Sequence, residues 1–424
     1  SSSQHHAAGF LVNIGAVAEP AFEAGGGLMQ QHPQPVHGVT ADLASGGFAI
    51  AHNGNISNAA TLREELVGKG AIFQSTSDTE VIIHLVATSR YPTMLDKLTD
   101  ALRLVEGAYA LIVATPRGMA ACRDPLGIRP LQMGRMGDAV VFASETVAFD
   151  VVGAKFEREV EPGELIEVDF DGTIRSHRPF GDNPPRPCIF EHVYFSRPDS
   201  IFAGRSVYEA RKAIGSELAI EAPCEADLVV PVPDSGVPAA IGYAQQSGLP
   251  FELGIIRSHY VGRTFIQPSD GARHSGVRRK HNANRGLVEG KRIVLIDDSI
   301  VRGTTSMKIV EMMRDAGATE VHFRVASPPT AHSCYYGVDT PERSKLLAAR
   351  MELEPMREFI KADSLAFISI DGLYRAVGRE SRDKACPQFC DACFTGDYPT
   401  RLTDFTRNQQ GAAKLSFPEN KPAN

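Results

Sequence analysis

The chain of 424 residues is long enough for two domains, each with a hydrophobic core of its own. Hydrophobic residues make up 43% of it and charged residues 22%, as in ordinary globular proteins, and the net charge of −7 disfavours nucleic acid or an acidic membrane surface as a partner. No apolar run is long enough to span a membrane, and no secretory signal is visible. Seven unevenly spaced cysteines argue against a disulfide framework, so the sequence predicts a cytoplasmic protein.

Predicted strands and helices alternate in the first half of the chain. Residues 47–55 predict a strand that ends in a turn at Asn53 and Gly54, and a helix follows from Ala59. The Ser-Asp-Thr-Glu pattern at residues 77–80 is typical of a capping box, which predicts a second helix directly after it. Further strands are predicted at residues 109–113 and 139–143. The first half is therefore predicted to be a mixed α and β domain.

An apolar strand followed by a polar turn is predicted at residues 228–238. Asp234, Ser235 and Gly236 belong to this turn. A glycine-containing turn at the carboxyl end of a strand can bring backbone N–H groups close to a pyrophosphate. An ordinary connection between a strand and a helix would have the same pattern. The turn becomes a stronger signal when it is paired with the acidic segment that follows further along the chain.

Residues 260–268 lead into a strongly basic run. Its cationic residues are Arg273, His274, Arg278, Arg279, Lys280, His281 and Arg285. A solvated charged loop and a nucleic-acid patch are two interpretations of such a run. No aromatic residue lies between Arg273 and Arg285 and the chain is acidic overall, which disfavours nucleic acid. A cationic loop that closes over a pyrophosphate, neutralises its charge and excludes water fits better.

The segment 292–306 is the most informative part of the sequence. Residues 293–297 predict a buried strand with two carboxylates, Asp297 and Asp298, at its carboxyl end, and a loop of Ser, Gly and Thr leads to a helix from Thr304. Backbone N–H groups at a helix N-terminus suit a phosphate, and paired carboxylates at the carboxyl end of a strand suit a magnesium-bound sugar. The Gly-Lys-Ser/Thr of a Walker A loop is absent. The alternative interpretation is an ordinary parallel strand with a polar turn.

The cysteines form a cluster near the end of the chain with two distant additions. Cys390 and Cys393 form a Cys-x-x-Cys pair, Cys386 lies four residues before it, and Cys188 and Cys334 are far away in sequence. A Cys-x-x-Cys pair alone fits a redox pair, zinc or an iron–sulfur cluster. Four thiolates gathered from distant points suit a structural metal site. The sequence does not separate zinc from [4Fe–4S].

The segment 292–306 resembles the motif by which type I phosphoribosyltransferases bind 5-phosphoribosyl-1-pyrophosphate (PRPP). From about residue 41 to 402 the sequence looks like the glutamine phosphoribosylpyrophosphate amidotransferase family. The segments that carry this resemblance are 189–200, 260–265, 280–285, 296–305, 324–329, 369–374 and 394–400. Residues 123–130 and 144–146 support it, because they are similar to the N-terminal-nucleophile (Ntn) glutaminase domain of class II amidotransferases.

The resemblance implies an α/β and α+β fold with two domains. Residues 1–178 would form an Ntn-type glutaminase sandwich with a degenerate front end, and residues 179–406 a type I phosphoribosyltransferase domain with a parallel sheet and the cysteine-rich region. Residues 407–424 would be a loose tail. The family makes phosphoribosylamine, the first committed intermediate of purine synthesis, from PRPP and ammonia released from glutamine. A magnesium-dependent glycosyltransferase is therefore implied, in a homotetramer that purine nucleotides inhibit.

The resemblance also assigns roles in the PRPP site. Asp297 and Asp298 would contact the ribose hydroxyls and magnesium, with Ser235 as a third magnesium-associated residue. Arg263 and Lys280 would lie in the loop that closes on PRPP and, with the two carboxylates, form the catalytic group. The other PRPP-binding residues would be Asp234, Gly236, Ser299, Ile300, Val301, Arg302, Gly303, Thr304 and Thr305.

Two further sites are implied in the same way. In the glutaminase domain, Asn53 and Gly54 would form the oxyanion hole, and Asp78 would hold the α-amino group of glutamine. One branch of the family carries a [4Fe–4S] cluster. The residues that match its ligands are Cys188, Cys334, Cys390 and Cys393, with Cys386 as the competing candidate.

The sequence departs from the family pattern before residue 50. An N-terminal Cys-Gly, a His-Arg-Gly-Gln segment and an Arg-Tyr-Ser/Ala-Thr segment are absent, and the first cysteine is Cys122. An N-terminal serine can serve as a nucleophile, but Ser1 lacks the glycine that follows it in the family. Glutamine hydrolysis is therefore predicted to fail. An altered or incompletely represented N-terminus would explain the departure equally well, and the sequence does not choose.

Three other functions are weighed against ammonia-dependent phosphoribosylamine synthesis. A salvage phosphoribosyltransferase that takes a nucleobase would need no glutaminase-like half. A regulatory pseudoenzyme that binds PRPP or purine nucleotides without turnover is favoured by the changed front end and opposed by the intact loop after Asp298. An iron–sulfur sensing module rests on the cysteines alone. The sequence therefore favours the enzyme.

Overall fold

The computed structural model of the chain describes residues 12–13, 38–44, 46–257 and 281–409. The first half forms two stacked sheets with helices, and the second half forms a parallel sheet between helices. Arg263, Lys280 and most of the front end lie outside the described residues, as does the predicted tail from residue 410 onward.

The first half is built from short strands and helices that alternate as predicted. The strands are β1 (Val12–Asn13), β2 (Val39–Leu43), β3 (Gly46–Ile56), β4 (Gly107–Thr115), β5 (Gly118–Arg123), β6 (Gln132–Met136), β7 (Ala139–Ala143), β8 (Lys155–Glu159), β9 (Leu165–Asp169) and β10 (Ile174–His177). The helices are α1 (Ala59–Gly68), α2 (Thr79–Thr88), α3 (Met94–Arg103) and α4 (Val147–Val152). One sheet has the strand order β10-β9-β5-β4-β3-β2 and the other the order β1-β7-β6-β8.

Strand β4 is buried on both faces because it lies between two hydrophobic layers. Successive side chains of a strand point to opposite faces. Ala110 and Ile112 pack with Phe142 of the second sheet, whereas Tyr109 and Leu111 pack in the core that helices α1, α2 and α3 cover. The resulting order of layers, helix, sheet and sheet, confirms the predicted sandwich.

The second half continues with strands and helices of an α/β domain. Its strands are β11 (Ile201–Phe202), β12 (Arg205–Ser206), β13 (Leu228–Pro231), β14 (Ile255–Arg257), β15 (His281–Ala283), β16 (Arg292–Asp297), β17 (Glu320–Val325) and β18 (Ser364–Phe367). Its helices are α5 (Val207–Glu221), α6 (Val237–Ser247), α7 (Arg285–Val288), α8 (Thr304–Asp315), α9 (Leu347–Arg350), α10 (Leu353–Ile360), α11 (Ile370–Ala376), α12 (Ala392–Thr395) and α13 (Thr403–Gln409). A π-helical turn at Glu191–Phe195 and a 3₁₀ turn at Arg343–Lys345 complete it.

The parallel sheet of this domain has the order β13-β16-β17-β18. In β16, Val294 and Ile296 pack in the core with α5 and α6, and Ile293 and Leu295 pack in the core with α8 and α10. A strand covered on both faces is apolar throughout, which explains its uninterrupted hydrophobic sequence. The sheet confirms the predicted phosphoribosyltransferase architecture. Because β13 and β16 are parallel neighbours, their carboxyl ends lie at the same edge.

The last described helix, α13, packs on the first domain. Asp404 accepts hydrogen bonds from the backbone N–H groups of Ala60 and Thr61 at 2.8 and 2.9 Å, at the N-terminus of α1. The predicted boundary at residue 406 falls inside α13, and the domain boundaries as such stay predictions. In the described part of the chain, none of the helices has both the length and the apolar character that crossing a membrane requires.

Candidate active site

The segment after β16 forms the predicted loop and helix. Strand β16 ends at Asp297 and helix α8 begins at Thr304. Gly303, the residue before α8, has a φ of 76°, which favours glycine. The first backbone N–H groups of a helix have no partner within it, so the loop leading into α8 is suited to a phosphate.

The resemblance implies that this loop binds PRPP, and we expect Gly303→Ala to weaken that binding, because the added Cβ would lie 2.6 Å from Leu347 Cδ2. Gly290→Ala is the matched control, since Gly290 has a φ of 72° with open space around it and precedes β16 at the other end of that strand. The positive φ costs either alanine about 1–2 kcal/mol of stability. Calorimetric PRPP affinity should fall at least about tenfold in Gly303→Ala alone. Equal affinities of the two variants would contradict this role of Gly303.

Asp297 and Asp298 lie side by side at the carboxyl end of β16, and each is only 7% exposed. Asp298 accepts hydrogen bonds from the hydroxyl groups of Ser235 and Ser299, both at 2.7 Å. Burial raises the pKa of Asp297 well above its usual range, and the neighbouring charge of Asp298 raises it further. Two adjacent buried carboxylates call for a cation, and carboxylate and hydroxyl oxygens are ligands that Mg²⁺ accepts.

The turn after β13 lies against this carboxylate pair. Asp234 forms an ion pair with Arg257 of β14, and the peptide bond between Pro233 and Asp234 is cis. A Cβ atom at Gly236 would lie 2.5 Å from the carbonyl oxygen of Ile296, so only glycine lets the turn pack this closely on β16. The structure therefore brings together the two segments that the sequence predicts to share an edge.

Only part of the basic run lies in the described residues. His281 begins β15, and its Nε2 lies 3.3 Å from the carbonyl oxygen of Pro233, beside the turn. Arg285 instead donates to the carbonyl oxygen of Asp315 at 2.9 Å. Asp315 ends α8, at the opposite end from the phosphate loop, so the prediction that Arg285 belongs to a loop closing over pyrophosphate is wrong. Arg263 and Lys280 lie outside the described residues and stay predictions.

Strand β3 continues where the sequence predicts a turn. Asn53 and Gly54 pair with Ala110 and Tyr109 of β4. Gly54 has a φ of 145°, and a Cβ atom there would lie 2.1 Å from the carbonyl oxygen of Ala108. The predicted turn is wrong because β4 supplies hydrogen-bond partners that overrule the local Asn-Gly preference. Gly54 is required for close approach of two strands rather than for a turn.

Asp78 faces strand β3 and does not cap helix α2. Its carboxylate accepts a hydrogen bond from Ile56 N at 2.9 Å and lies 3.7 Å from His52 Nδ1. Glu80 bonds to the backbone N–H of Gln74, so the predicted capping box is wrong. Burial works to raise the pKa of Asp78, but the hydrogen bond and charge of His52 bring it below its usual value. An ionised carboxylate here suits an ammonium group.

Asn53 is held by two residues that the sequence analysis named only as parts of motifs. Its Oδ1 accepts a hydrogen bond from Arg129 Nη2 at 3.2 Å, and its Nδ2 donates to Ser144 Oγ at 2.9 Å. Both partners lie in the segments 123–130 and 144–146 that resemble the glutaminase domain. That resemblance is the signal by which they could have been found.

Four cysteines line one cavity of about 470 Å³, including its opening. They are the predicted Cys188, Cys334, Cys390 and Cys393. The backbones of Cys188 and Cys390 pair in a β-bridge, whereas Cys386 is exposed and absent from the lining. In the described ranges, no group of three or more His, Cys, Asp or Glu side chains is arranged to hold a metal ion. The structure thus brings the four thiols to one place without closing them into a ligand set.

Burial makes these thiols poor acids. It raises the pKa of Cys188 to about 12 and raises the pKa of Cys334, Cys390 and Cys393 as well. Thiolates at such a place need a positively charged partner, and four of them suit zinc or an iron–sulfur cluster. Asp391, between the paired cysteines, is 1% exposed and bonds to Arg382 and Tyr374, which holds the Cys-x-x-Cys loop in place.

Known protein families match both halves of the chain. A model described as a glutamine amidotransferase domain matches residues 28–151, and one described as a phosphoribosyl transferase domain matches residues 199–341. With the layered sandwich and the parallel sheet, these matches define a two-domain protein in which an amidotransferase domain precedes a phosphoribosyltransferase domain. The predicted fold class is confirmed.

Similar proteins extend over nearly the whole chain. The amidophosphoribosyltransferase of Rhizobium etli is 54% identical over 407 residues, which are 95% of this chain and 81% of that protein. The amidophosphoribosyltransferase of Bacillus subtilis is 50% identical, over 92% of this chain and 81% of that protein. The solved structure of glutamine PRPP amidotransferase from B. subtilis, complexed with ADP and GMP, gives a TM-score of 0.79 at 51% identity, over 85% of this chain and 78% of that one.

The chain therefore belongs to the amidophosphoribosyltransferase family. This confirms the resemblance and the predicted class of enzyme, a glycosyltransferase. Family membership does not favour the alternative of a pseudoenzyme without turnover. A salvage phosphoribosyltransferase is disfavoured as well, because the match includes the amidotransferase domain.

Proposed function

We propose that this chain makes phosphoribosylamine from PRPP and ammonia with the help of magnesium, the first committed step of purine synthesis. The observation that supports this most directly is the meeting of Ser235, Asp297 and Asp298 beside the loop that precedes α8. The relatives named above are amidophosphoribosyltransferases, and the carboxylate pair and the phosphate loop supply what PRPP chemistry requires.

Each part of the proposed site has its own task. The loop of residues 299–305 holds the 5′-phosphate with backbone N–H groups, and Asp297 and Asp298 hold the ribose hydroxyls. Magnesium bound at these carboxylates and Ser235 would neutralise charge on the pyrophosphate. The bond between C1 of the ribose and pyrophosphate breaks, C1 gains positive character, and ammonia forms the new C–N bond and loses a proton. The step needs positioning and charge stabilisation but no protein nucleophile.

The proposed second cofactor is a [4Fe–4S] cluster bound by Cys188, Cys334, Cys390 and Cys393. Support comes from the shared cavity of these four thiols and from the resemblance to the iron–sulfur branch of the family. Val301 of the loop 299–305 lines the same cavity, so a group bound in the cavity would pack against the loop that is proposed to hold the phosphate. The cluster is therefore proposed as a structural element.

Ammonia is the proposed nitrogen source, and glutamine use depends on the front end of the chain. Asn53, Gly54 and Asp78 are the proposed contacts for glutamine. Asn53 and Gly54 lie in β3, and the Asp78 carboxylate accepts a hydrogen bond from Ile56 N of the same strand, which supports this assignment. Residues 1–11 and 14–37 lie outside the described residues, so the expectation that glutamine hydrolysis fails stays a prediction.

Purine nucleotides are proposed as feedback inhibitors, because the B. subtilis relative was solved in complex with ADP and GMP. A homotetramer in the cytoplasm is proposed on the family resemblance.

The experiment that tests this function is pyrophosphate release from PRPP and magnesium, with ammonium chloride or glutamine supplied separately. We expect release that depends on ammonium, with phosphoribosylamine as the second product. Turnover with glutamine as well would show that the front end provides a working nucleophile. Release with a nucleobase but not with ammonium would identify a salvage enzyme, and no release with any acceptor would contradict the proposed function.

A further inference from the structure

The Cys-x-x-Cys turn is built around a buried carboxylate. Asp391 lies between the two cysteines of the pair and is 1% exposed. Its carboxylate accepts hydrogen bonds from Arg382 Nε at 2.5 Å and from Arg382 Nη2 at 3.2 Å. The hydroxyl groups of Tyr374 and Thr395 each donate one more, both at 2.9 Å. A buried charge is tolerated where it is paired and hydrogen-bonded, and Asp391 meets both conditions.

Asp391 also organises the backbone of this turn. Its carbonyl oxygen accepts hydrogen bonds from Phe394 N at 2.9 Å and from Thr395 N at 3.1 Å. The carbonyl oxygen of Cys393 accepts two more, both at 3.1 Å, from the backbone N–H groups of residues 331 and 332. Because the turn closes on Asp391, the place of this residue decides where the paired thiols lie.

Arg382 attaches the buried carboxylate to helix α11. Its backbone N–H donates to Asp371 Oδ1 at 3.0 Å, and Asp371 lies in the first turn of α11. Tyr374 belongs to the same helix and is fully buried, with its ring edge-on to that of Phe389 at a centroid distance of 5.6 Å. Both Arg382 and Tyr374, which hold Asp391, are therefore anchored at one helix that packs in the core with α5.

A second carboxylate orients the Arg382 guanidinium. Arg382 Nη2 lies 2.7 Å from Asp397 Oδ2, and Arg186 Nη2 lies 3.4 Å from the same oxygen. The side chain of Asp397 is 44% exposed, whereas that of Arg382 is 10% exposed. Exposed ion pairs contribute little to stability, so Asp397 directs the guanidinium and the buried Asp391 is the partner that depends on it.

The charge of the proposed cluster explains why a cation is needed beside this turn. An occupied [4Fe–4S] site is anionic, because four thiolates carry more negative charge than the oxidised iron–sulfur core carries positive charge. An uncompensated carboxylate within the Cys-x-x-Cys turn would repel such a site at short range. Arg382 cancels the charge of Asp391, which leaves the carboxylate free to act as a strong hydrogen-bond acceptor for the turn.

We propose that Arg382 is a positioning residue of the four-cysteine site and that it controls how firmly the cluster is retained. It acts through Asp391 and not as a ligand, because a guanidinium has only N–H donors. The inference rests on the proposed function, since it takes the four cavity cysteines as the ligands of a [4Fe–4S] cluster. Residues that hold the ligands of a metal site without touching the metal change its affinity about 10- to 100-fold when they are replaced.

The test is the rate at which a ferrous-iron chelator removes iron from the anaerobically purified full-length chain, followed together with the visible absorbance of the cluster. In Arg382→Met we expect release about 10- to 100-fold faster than in the unaltered chain. Methionine keeps an unbranched apolar stem but leaves the charge of Asp391 buried without its cation.

The double variant Arg382→Met/Asp391→Asn separates the effect of charge from a loss of packing. An asparagine side chain removes the uncompensated charge and keeps the two remaining contacts, because its oxygen accepts from the Tyr374 hydroxyl and its amide donates to Thr395 Oγ1. We expect the double variant to release iron within about threefold of the rate of the unaltered chain, although it carries one substitution more.

Arg375→Met is the matched control. Arg375 also pairs with two carboxylates, Glu217 and Glu221 of α5, and these three residues are absent from the lining of the cysteine cavity. This variant should release iron as slowly as the unaltered chain.

Two results would overturn the role of Arg382 alone. One is an Arg382→Met chain that holds iron as firmly as the unaltered chain. The other is a double variant that loses iron as fast as Arg382→Met, or that folds without iron where Arg382→Met does not fold. An unaltered chain that contains neither iron nor sulfide after anaerobic purification would overturn the proposed cluster and this inference together.

Discussion

Asp298→Asn is expected to lower ammonia-dependent release of pyrophosphate from PRPP by about 100- to 1,000-fold. The substitution keeps the size of the side chain and the oxygen that accepts from Ser235, but removes the negative charge that would hold magnesium. Stability should not fall, because the variant removes one of two adjacent buried carboxylates, whose proximity raises the pKa of Asp297. Steady-state kinetics and thermal unfolding on the same preparation measure both effects.

The control for Asp298→Asn is Glu311→Gln on helix α8. The side chain of Glu311 is 41% exposed and pairs with Lys361 at the surface, away from the carboxyl edge of the sheet. It should leave turnover unchanged, since exposed ion pairs contribute about 1 kcal/mol or less. An Asp298→Asn enzyme that keeps turnover within about threefold of the unaltered chain would remove this carboxylate from the proposed mechanism.

Cys390→Ser is expected to abolish retention of the proposed cluster and to lower the unfolding temperature by roughly 5–10 °C. Cys390 is buried, pairs with Cys188 through the backbone and lines the cavity where all four candidate thiols meet. A hydroxyl group is a poor replacement for a thiolate ligand. Iron and sulfide analysis of anaerobically purified protein, together with thermal unfolding, measures the two effects.

Cys386→Ser is the matched control, because Cys386 is a cysteine of the same segment that is exposed and absent from the cavity lining. It should retain iron, sulfide and stability. Loss of iron in Cys386→Ser with retention in Cys390→Ser would reassign the ligands. Zinc without sulfide in the unaltered chain would contradict the iron–sulfur proposal and leave the four thiols as a zinc site.

The parts of the fold that the sequence predicts well are those with local causes. The apolar run of β16 specifies a strand buried on both faces, and the small residues before Thr304 specify a loop that starts a helix. The parallel register of β13 and β16 then places Ser235 beside Asp298, as expected for turns at one edge of a sheet. The geometry of the proposed PRPP site follows from these few elements.

The parts that the sequence mispredicts have distant causes. Asn53 and Gly54 favour a turn locally, but pairing with β4 extends the strand through them. Asp78 matches a capping pattern, but its carboxylate bonds to Ile56 N in β3. In both cases a partner more than twenty residues away in the chain decides the structure, and no local pattern records that partner.

The buried pair of Arg129 and Glu191 could not be predicted for a related reason. Each residue lies in a segment that resembles the family, yet nothing in either segment indicates that the two side chains meet across the domain junction. Only the resemblance predicted that Cys188 and Cys334 lie close to the Cys-x-x-Cys pair, because the spacing of cysteines along the chain does not indicate which of them meet in the fold. Only the fold places these groups together.

The proposed function depends above all on a magnesium-dependent PRPP site formed by Asp297, Asp298 and the loop before α8. The most direct measurement is a calorimetric titration of the folded chain with PRPP, with magnesium and with the metal chelated. We expect binding that requires magnesium and that Asp298→Asn weakens at least about tenfold. Binding of equal strength without magnesium, or in Asp298→Asn, would contradict it.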